Sequence, residues 1–229
     1  MRQGLLFKDN NLPLPLRAEQ NEAREFLTGL KAAGLIIGTD EAGRGALAGP
    51  VVAAAVSLTQ EQENILLASK LNDSKKISPN VRENLFKKIQ ELGVPWRASM
   101  TWPKVIDKIN ILEASLLTMK ESVNKLAKNF DPPPACVIVD GNKRIPDLNF
   151  PQWTLIKADE LIPVVSAASI VAKVLRDRLM KILSDRYPEY DFKQNKGYPT
   201  KFHREAIKLK GLSDIHRETF CRKIIRGEK

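Results

Sequence analysis

Acidic residues follow three apolar segments of the chain, at points where β-strands are expected to end. They are Asp40 with Glu41, Asp140, and Asp159. Because functional groups gather at the carboxyl ends of strands in an α/β sheet, we expect these carboxylates to lie close together. Oxygen ligands without cysteine suit Mg²⁺ or Mn²⁺ and do not suit zinc. His203 and His216 lie 13 residues apart on expected helices, where a polar contact is the better interpretation than a zinc site.

The adjacent carboxylates of Asp40 and Glu41 are costly to hold beside an apolar strand. Two unit charges ~4 Å apart repel by about 4 kcal/mol at an effective dielectric constant near 20. A hard divalent cation would offset this repulsion. An acidic, solvated turn is the simpler alternative. Gly43 and Gly45 favour a binding site, because without a Cβ they let backbone N–H groups face a ligand.

The elements that must position these acids form an alternating pattern of strands and helices. Residues 35–41 and 50–58 predict two strands, and the short connection between them requires antiparallel pairing. The continuous apolar run 135–141 predicts a buried parallel strand. Long helices are expected over residues 104–129 and from Pro163 to about Arg186, the latter rich in small residues. This order predicts an α/β fold with a mixed sheet covered by helices.

The turn after the first strand also matches a dinucleotide-binding fingerprint. Residues 43–48 read G-R-G-A-L-A, which fits the pattern G-x-G-x-x-A. That motif requires a helix next, with its N-terminus on the pyrophosphate. Gly49, Pro50 and a valine-rich run follow instead, and the neighbouring acids would repel a pyrophosphate. A nucleotide-binding enzyme therefore remains as an alternative function.

The charge of the chain favours a polyanionic partner. Of its 229 residues, 37 are Lys or Arg and 27 are Asp or Glu, which gives a net charge of +10, and the pI is 9.6. Such an excess favours nucleic acid first and an anionic membrane second.

Cys136 and Cys221 lie in unrelated contexts and are interpreted as reduced thiols of a cytosolic protein. No apolar run or leader pattern predicts a membrane span or a signal peptide, so we expect a cytoplasmic protein without a membrane partner.

Several blocks of the sequence together resemble the type 2 ribonucleases H, specifically ribonuclease HII. They occur in the order typical of that family, between about residues 35 and 220. The blocks are GTDEAGRG at 38–45, LAGPVVAAA at 47–55, DSKK at 73–76, VDGN at 139–142, KAD at 157–159, SAASIVAKV at 166–174 with Arg176-Asp177, GYPT at 197–200 with His203, and His216-Arg217 with Phe220.

The resemblance implies a fold and an activity. The fold is ribonuclease H-like, an α/β fold with a five-stranded mixed sheet flanked by helices and a helical C-terminal extension. We assign an N-terminal arm and helix to residues 1–33, the catalytic domain to 34–186 and the basic extension to 187–229. Family members are endoribonucleases that hydrolyse the RNA strand of RNA–DNA hybrids. They also nick duplex DNA 5′ to embedded ribonucleotides, the reaction of ribonucleotide excision repair.

The resemblance also implies a role for individual residues. The four carboxylates that match the family's metal ligands, for two Mg²⁺ or Mn²⁺ ions, are Asp40, Glu41, Asp140 and Asp159. The turn Gly43-Arg44-Gly45 resembles the family's ribose-sensing turn, whose backbone reads the 2′-hydroxyl. Tyr198 matches the tyrosine that packs on the sugar beyond the junction. Lys75 and Lys76 are candidate phosphate-binding residues.

Two features bear on how this chain uses the family pattern. Pro199 stands where the family commonly has glycine, and proline fixes φ and removes an N–H group next to Tyr198. Residues 3–7, Gln-Gly-Leu-Leu-Phe, faintly resemble a peptide that binds a sliding clamp.

A monomer that binds RNA–DNA hybrids and duplexes with embedded ribonucleotides is expected. The alternative is a catalytically idle nucleic-acid-binding module of the same fold.

Overall fold

A five-stranded mixed sheet forms the centre of the molecule. The computed structural model describes residues 27–32, 34–69, 71 and 78–227. The strands are β1 Ile36–Ala42, β2 Val51–Val56, β3 Trp96–Thr101, β4 Cys136–Asp140 and β5 Gln152–Leu155. Their order across the sheet is β3-β2-β1-β4-β5, with β1 antiparallel to β2 and parallel to β4. The predicted five-stranded mixed sheet is confirmed.

Helices cover both faces of this sheet. Their bounds are α1 27–32, α2 Gln60–Ala68, α3 Pro79–Glu91, α4 Pro103–Ile109, α5 Ile111–Ala127, α6 Ala158–Leu161, α7 Pro163–Arg186, α8 Phe192–Asn195, α9 Lys201–Lys210 and α10 Glu218–Ile225, with a 3₁₀ turn at Pro188–Tyr190. The helix α7 has the predicted bounds. The strand β2 follows Pro50 directly, so the helix that a dinucleotide fingerprint requires is replaced by a strand.

The single long helix expected over residues 104–129 is wrong. The structure divides it into α4 and α5 at Asn110, which has a φ of 68°. The side-chain oxygen of Asn110 accepts hydrogen bonds from the N–H groups of Leu112 and Glu113, at 2.9 and 3.1 Å. Asparagine tolerates this left-handed conformation and caps the helix that follows. The apolar periodicity continues across the break and therefore concealed it.

The strand β1 passes through both acids and ends one residue beyond them. Asp40 pairs with Ala54 and Glu41 with Ala53 of β2, and the pairing extends to Ala42. Since side chains alternate between the faces of a sheet, Asp40 and Glu41 point to opposite faces. Asp40 shares the face covered by α7, whereas Glu41 shares the face covered by α5.

The helix α7 lies directly against β1 because Gly38 has no side chain. A Cβ atom added there would lie 2.6 Å from the carbonyl carbon of Val164, closer than atoms can approach. Farther along α7, Ala167, Ala168 and Ala172 are fully buried against the sheet. These small residues, which the sequence identified as suited to close packing, bring Ser169 and Lys173 beneath the acidic end of β1.

The segment after α7 shares a hydrophobic core with the loop between β1 and β2. The buried members of this core are Leu47, Ala48, Met180, Tyr190, Phe192, Ala206, Ile207, Ile215, Cys221 and Ile224. Burying each large side chain contributes roughly 1.5–3 kcal/mol. The basic C-terminal segment is therefore packed against this loop.

In the part of the chain that the structure describes, no helix combines the length and hydropathy that crossing a membrane requires.

Candidate active site

Two of the predicted carboxylates lie on the face of the sheet that α7 covers, and a third lies near them at the start of α6. Thr39 of β1 pairs with Val139 of β4, so Asp40 and Asp140 are the next residues on two parallel neighbouring strands. The backbone N–H of Asp159, at the start of α6, donates to Oδ1 of Asp140 over 3.4 Å. Asp40 is only 4% exposed and Asp159 is 3% exposed. This arrangement places Asp140 beside both the strand that contains Asp40 and the helix that contains Asp159.

The carboxylates at this end of the sheet are electrostatically strained. Burial raises the pKa of Asp40 well above its usual value, and the charges of Glu41 and Asp140 raise it further. Burial also raises the pKa of Glu41, with Arg44 acting in the opposite direction. Desolvation and like charges both disfavour ionised carboxylates. A bound cation at this position would therefore be strongly stabilised.

Two basic side chains face the carboxylates within the described residues. Lys173 Nζ lies 3.6 Å from Oδ2 of Asp159 and donates a 2.6 Å hydrogen bond to the hydroxyl of Ser169. Arg44 Nη1 donates to Oε1 of Glu41 over 3.2 Å. Ser169 and Lys173 are four residues apart on α7 and so project from one side of that helix. That spacing is the sequence signal that could have placed Lys173 in the site.

The donor atoms fit divalent cations, but the side chains are not gathered into one ligand set. Among the residues that the structure describes, no three acidic, histidine or cysteine side chains form a compact group able to hold a metal. The register explains this, because Glu41 points to the opposite face of β1 and pairs with Arg44. Asp159 in turn faces Lys173. The all-oxygen donors fit Mg²⁺ or Mn²⁺ once these carboxylates turn from their basic partners.

The Gly43-Arg44-Gly45 turn lies directly after β1, beside the carboxylates. Gly43 has a φ of 96°, and a Cβ atom added there would overlap the side chain of Arg176. Gly45 has open space around the position of a Cβ atom, and the Arg44 side chain is exposed. The turn therefore exposes its backbone at Arg44 and Gly45, whereas Gly43 is buried against Arg176. The ligand-facing role of the turn stays a prediction.

Two buried arginines hold the loop that contains this turn. Arg176 is 1% exposed and Arg217 is fully buried. Arg176 donates to the carbonyl oxygens of Ala48 (3.2 Å), Pro50 (3.0 Å) and Lys196 (2.9 Å). Arg217 donates to those of Arg44 (2.8 Å) and Gly49 (3.0 and 3.1 Å). Burial lowers the pKa of both guanidinium groups, that of Arg217 to about 9. These positioning roles were missed, because arginine in a basic sequence is usually solvated.

Tyr198 lies next to the turn and is coupled to it through backbone hydrogen bonds. The carbonyl oxygen of Gly197 accepts from the N–H groups of Leu47 (2.7 Å) and Ala48 (3.3 Å). Tyr198 is 40% exposed, and the guanidinium carbon of Arg176 lies 5.2 Å from the centroid of its ring. The Tyr198 N–H donates to the carbonyl oxygen of Asn195 over 2.9 Å. Lys75 and Lys76 lie outside the described residues, and their phosphate-binding role stays a prediction.

A family model described as ribonuclease HII matches residues 37–223 of the chain. The chain belongs to the ribonuclease HII family. It is 46% identical over 187 residues to ribonuclease HII of Trichormus variabilis, covering 82% of this chain and 81% of that protein.

Solved structures of family members resemble the described fold. The crystal structure of ribonuclease H2 from Pyrococcus horikoshii OT3 matches with a TM-score of 0.69 and 29% identity, over 84% of this chain and 98% of that one. Ribonuclease HII in its complex with PCNA from Archaeoglobus fulgidus matches with a TM-score of 0.67 and 27% identity, over 82% and 94% of the two chains. The ribonuclease H-like fold predicted from the sequence is confirmed.

Family membership establishes the class of reaction. As a ribonuclease HII, the chain is a metal-dependent endoribonuclease that hydrolyses phosphodiester bonds of RNA in RNA–DNA hybrids. The nucleic-acid substrate agrees with the net charge of +10.

Proposed function

We propose that the enzyme nicks duplex DNA on the 5′ side of a single embedded ribonucleotide, with two divalent ions held by Asp40, Glu41, Asp140 and Asp159. One observation carries this proposal. The turn expected to read a ribose and the exposed Tyr198 belong to one hydrogen-bonded unit, through the bonds of Gly197 to Leu47 and Ala48. This unit begins at Gly43, two residues beyond Glu41 in the chain.

The carboxylates would hold the ions and leave the phosphate accessible. Two divalent ions, when bound, polarise the scissile phosphate, supply an activated water and stabilise the leaving 3′-oxygen. Asp40 and Asp140 are neighbours on parallel strands and provide oxygen ligands from one face of the sheet. Glu41 provides ligands from the other face, at the same end of the sheet. Lys173 lies 3.6 Å from Asp159 and would orient this carboxylate beside the site.

Selectivity for a ribonucleotide would come from backbone contacts and one aromatic ring. The 2′-hydroxyl is the group that distinguishes RNA from DNA at a single nucleotide. Gly45, with open space where a Cβ atom would lie, would allow the backbone of the turn to approach that hydroxyl closely, and Gly43 leaves room for Arg176 beside the turn. The ring of Tyr198 would pack on the following deoxyribose, where a second 2′-hydroxyl would clash. Basic residues on the exposed side of α9, such as Lys201, Arg204 and Lys208, are suited to the phosphate backbone.

Cleavage of a duplex with one embedded ribonucleotide tests the proposal. The substrate is incubated with Mg²⁺, Mn²⁺ or a chelator, beside an all-DNA duplex and a uniform RNA–DNA hybrid. A metal-dependent nick 5′ to the ribonucleotide, with the all-DNA duplex intact, is expected. The Asp140→Asn variant should bind the duplex as tightly as the parent and lose cleavage. Unchanged cleavage by that variant would refute the metal-binding role of Asp140, and cleavage of the hybrid alone would refute the proposed substrate.

The idle-module alternative makes the opposite prediction for the same experiment. A module that only kept the fold would bind each of these duplexes and cut none of them under any metal condition. The presence of all four carboxylates, two of them on one face of the sheet and a third near them, argues against it.

A sliding clamp is a further proposed partner. The family member from Archaeoglobus fulgidus was solved in a complex with PCNA, and residues 3–7 are the candidate contact in this chain. They lie outside the described residues. Removal of residues 1–8 should abolish clamp binding in calorimetry while cleavage of a short duplex stays unchanged.

The monomeric state, the cytoplasmic location and the domain boundaries stay predictions.

A further inference from the structure

Two buried histidines are directly hydrogen-bonded beneath Tyr198. His203 lies on α9, and His216 lies just before α10. Their Nε2 atoms are 3.0 Å apart, and the Nδ1 atom of His203 lies 2.9 Å from the carbonyl oxygen of Tyr198. On the other side, the Nδ1 atom of His216 lies 2.9 Å from the backbone nitrogen of Ser213. The expected polar-contact role of the histidines is confirmed; that they contact each other was not predicted. Their hydrogen bonds continue to the carbonyl oxygen of Tyr198.

The partners at the two ends assign every hydrogen in this chain of bonds. A carbonyl oxygen only accepts, so His203 carries its hydrogen on Nδ1 and its Nε2 atom accepts. His216 must then donate from Nε2. Its Nδ1 atom accepts from the N–H of Ser213, which can only donate. Each neutral ring has one tautomer that satisfies both of its bonds, so the direction runs from Ser213 through both histidines to Tyr198.

The surroundings of the pair keep both rings neutral and fixed. Tyr190 and Phe192 pack against them, with ring centroids 4.7 Å apart for Tyr190 and His216 and 5.4 Å apart for Phe192 and His203. Burial lowers the pKa of His203, and burial together with the charge of His203 lowers the pKa of His216 to about 4. The two rings therefore act as a rigid, uncharged support near neutral pH.

The backbone of Tyr198 sets the direction of its exposed ring. Its carbonyl oxygen accepts from His203 and from the N–H of Thr200 at 2.8 Å. The next residue is Pro199, which has a fixed φ and no N–H to anchor the peptide differently. Arg176 is the guanidinium that faces the ring. The histidine bond is thus the side-chain contact that holds the Tyr198 carbonyl from within the core.

We propose that His203 and His216 are positioning residues that fix the peptide of Tyr198 and so determine how strongly the enzyme prefers a lone ribonucleotide to a uniform hybrid. This inference rests on the proposed function, because it assumes that Tyr198 packs on the sugar beyond the junction. The histidines act through Tyr198 and touch no reacting atom.

Two substitutions at His203 test its two hydrogen bonds separately, the bond to the Tyr198 carbonyl and the bond to His216. In His203→Asn the amide lies near the former Nδ1 position and can still donate to the Tyr198 carbonyl. In His203→Gln the amide lies near the former Nε2 position and pairs with His216 instead. We measure kcat/KM for a single-ribonucleotide duplex and for a uniform hybrid, and take their ratio as the selectivity. Thermal unfolding of each variant verifies that it is folded.

Loss of the bond to Tyr198, and not loss of stability, should reduce selectivity. His203→Gln should lower the ratio by about three- to tenfold, the effect of one neutral hydrogen bond, and His203→Asn should keep it within about twofold of the parent. Ile207→Ala, a buried change on the same helix, should lower the unfolding temperature and leave the ratio unchanged. Equal ratios for the Asn and Gln variants would overturn the inference.

The Tyr198→Ala background distinguishes this inference from the function on which it rests. If the histidines act through Tyr198, His203→Gln should cause no further change in the ratio when Tyr198 is already alanine. An additional decrease in that background would overturn the positioning role while the proposed function stands. If Tyr198→Ala alone leaves the ratio unchanged, the assignment of Tyr198 itself is wrong, and the positioning role is refuted with it.

Discussion

The side chain of Arg176 occupies the space that a Cβ atom on Gly43 would need. The same guanidinium donates to carbonyl oxygens on either side of the site, at Ala48 and Pro50 in one loop and at Lys196 in the other. A glycine at position 43 is thus required by a buried arginine as well as by a φ of 96°. The conformation of the turn expected to read the ribose therefore depends on the contact between Gly43 and Arg176.

Gly43→Ala should therefore impair both folding and cleavage. The added methyl group meets Arg176 and the backbone stays in a left-handed conformation, which together should lower the free energy of unfolding by about 1–3 kcal/mol. Denaturant unfolding and cleavage assays measure the two effects. Gly45→Ala is the matched control, since nothing lies within 4 Å of its added Cβ atom. Equal stability of the two variants would contradict the role of Arg176.

Arg217→Lys should weaken the same loop although the charge is kept. The single nitrogen of lysine cannot reproduce the three bonds that the Nε, Nη1 and Nη2 atoms of Arg217 donate to the carbonyl oxygens of Arg44 and Gly49. We expect a loss of about 2–4 kcal/mol in unfolding free energy and a reduced preference for a lone ribonucleotide. Arg222→Lys, an exposed change on α10, serves as the control. A variant with parental stability and preference would show that these bonds do not hold the turn.

Lys173→Met should increase the affinity of the site for divalent ions while it slows cleavage. The lysine competes with an ion for Asp159 at 3.6 Å, and its removal leaves the carboxylates with less compensating charge. Asp159 also loses the contact that orients it. Calorimetric titration with Mn²⁺ in the absence of substrate measures the first effect, and cleavage under saturating Mn²⁺ measures the second. Weaker Mn²⁺ binding would contradict this prediction.

The contribution of the buried histidines to the stability of the protein should fall between pH 7 and pH 5. The pKa of His216 is about 4 in the folded protein, against an ordinary value of 6.5. The unfolded chain therefore binds a proton more readily between these values, and folding stability decreases as the pH falls through them. From pH 7 to pH 5 this costs about 2 kcal/mol.

A double variant isolates this contribution from that of the carboxylates. His203→Phe combined with His216→Phe keeps the aromatic packing against Tyr190 and Phe192 and removes both titrating rings. Its unfolding free energy should depend less on pH over this interval than that of the parent, measured by urea unfolding at each pH. Identical pH dependence of the two proteins would show that the histidines titrate normally.

The carboxylates could be predicted because their sequence context defines their position. Asp40 and Asp140 each end an apolar run, and parallel pairing of such runs brings their ends together. The opposite orientation of Glu41 was not predicted, because it depends on the continuation of β1 through its pairing with Ala53. Sequence periodicity indicates that a strand exists, but its last residue is determined by the partner strand.

The roles of the basic residues, in contrast, could not be predicted from their local sequence. Lys173, Arg176 and Arg217 have ordinary local contexts, and a basic side chain in such a context is usually solvated. Their roles arise from bonds to carbonyl oxygens and carboxylates more than 100 residues away in several cases, such as Arg176 to Pro50. Hydrophobic periodicity contains no information on such contacts. The division of a helix at Asn110 was missed for a related reason, since a single φ value interrupts an unbroken apolar pattern.

The helix α7 connects both halves of the site. Val164 contacts β1 at Gly38, Lys173 faces the carboxylates, and Arg176 holds the turn and Tyr198. Lys173 and Arg176 are three residues apart, which is a rise of about 4.5 Å along one rigid helix. The spacing between the residue that faces Asp159 and the residue that holds the turn is therefore a property of helical geometry. Under the proposed function, this fixed spacing should place the cut at a constant distance from the ribonucleotide, whatever the surrounding sequence.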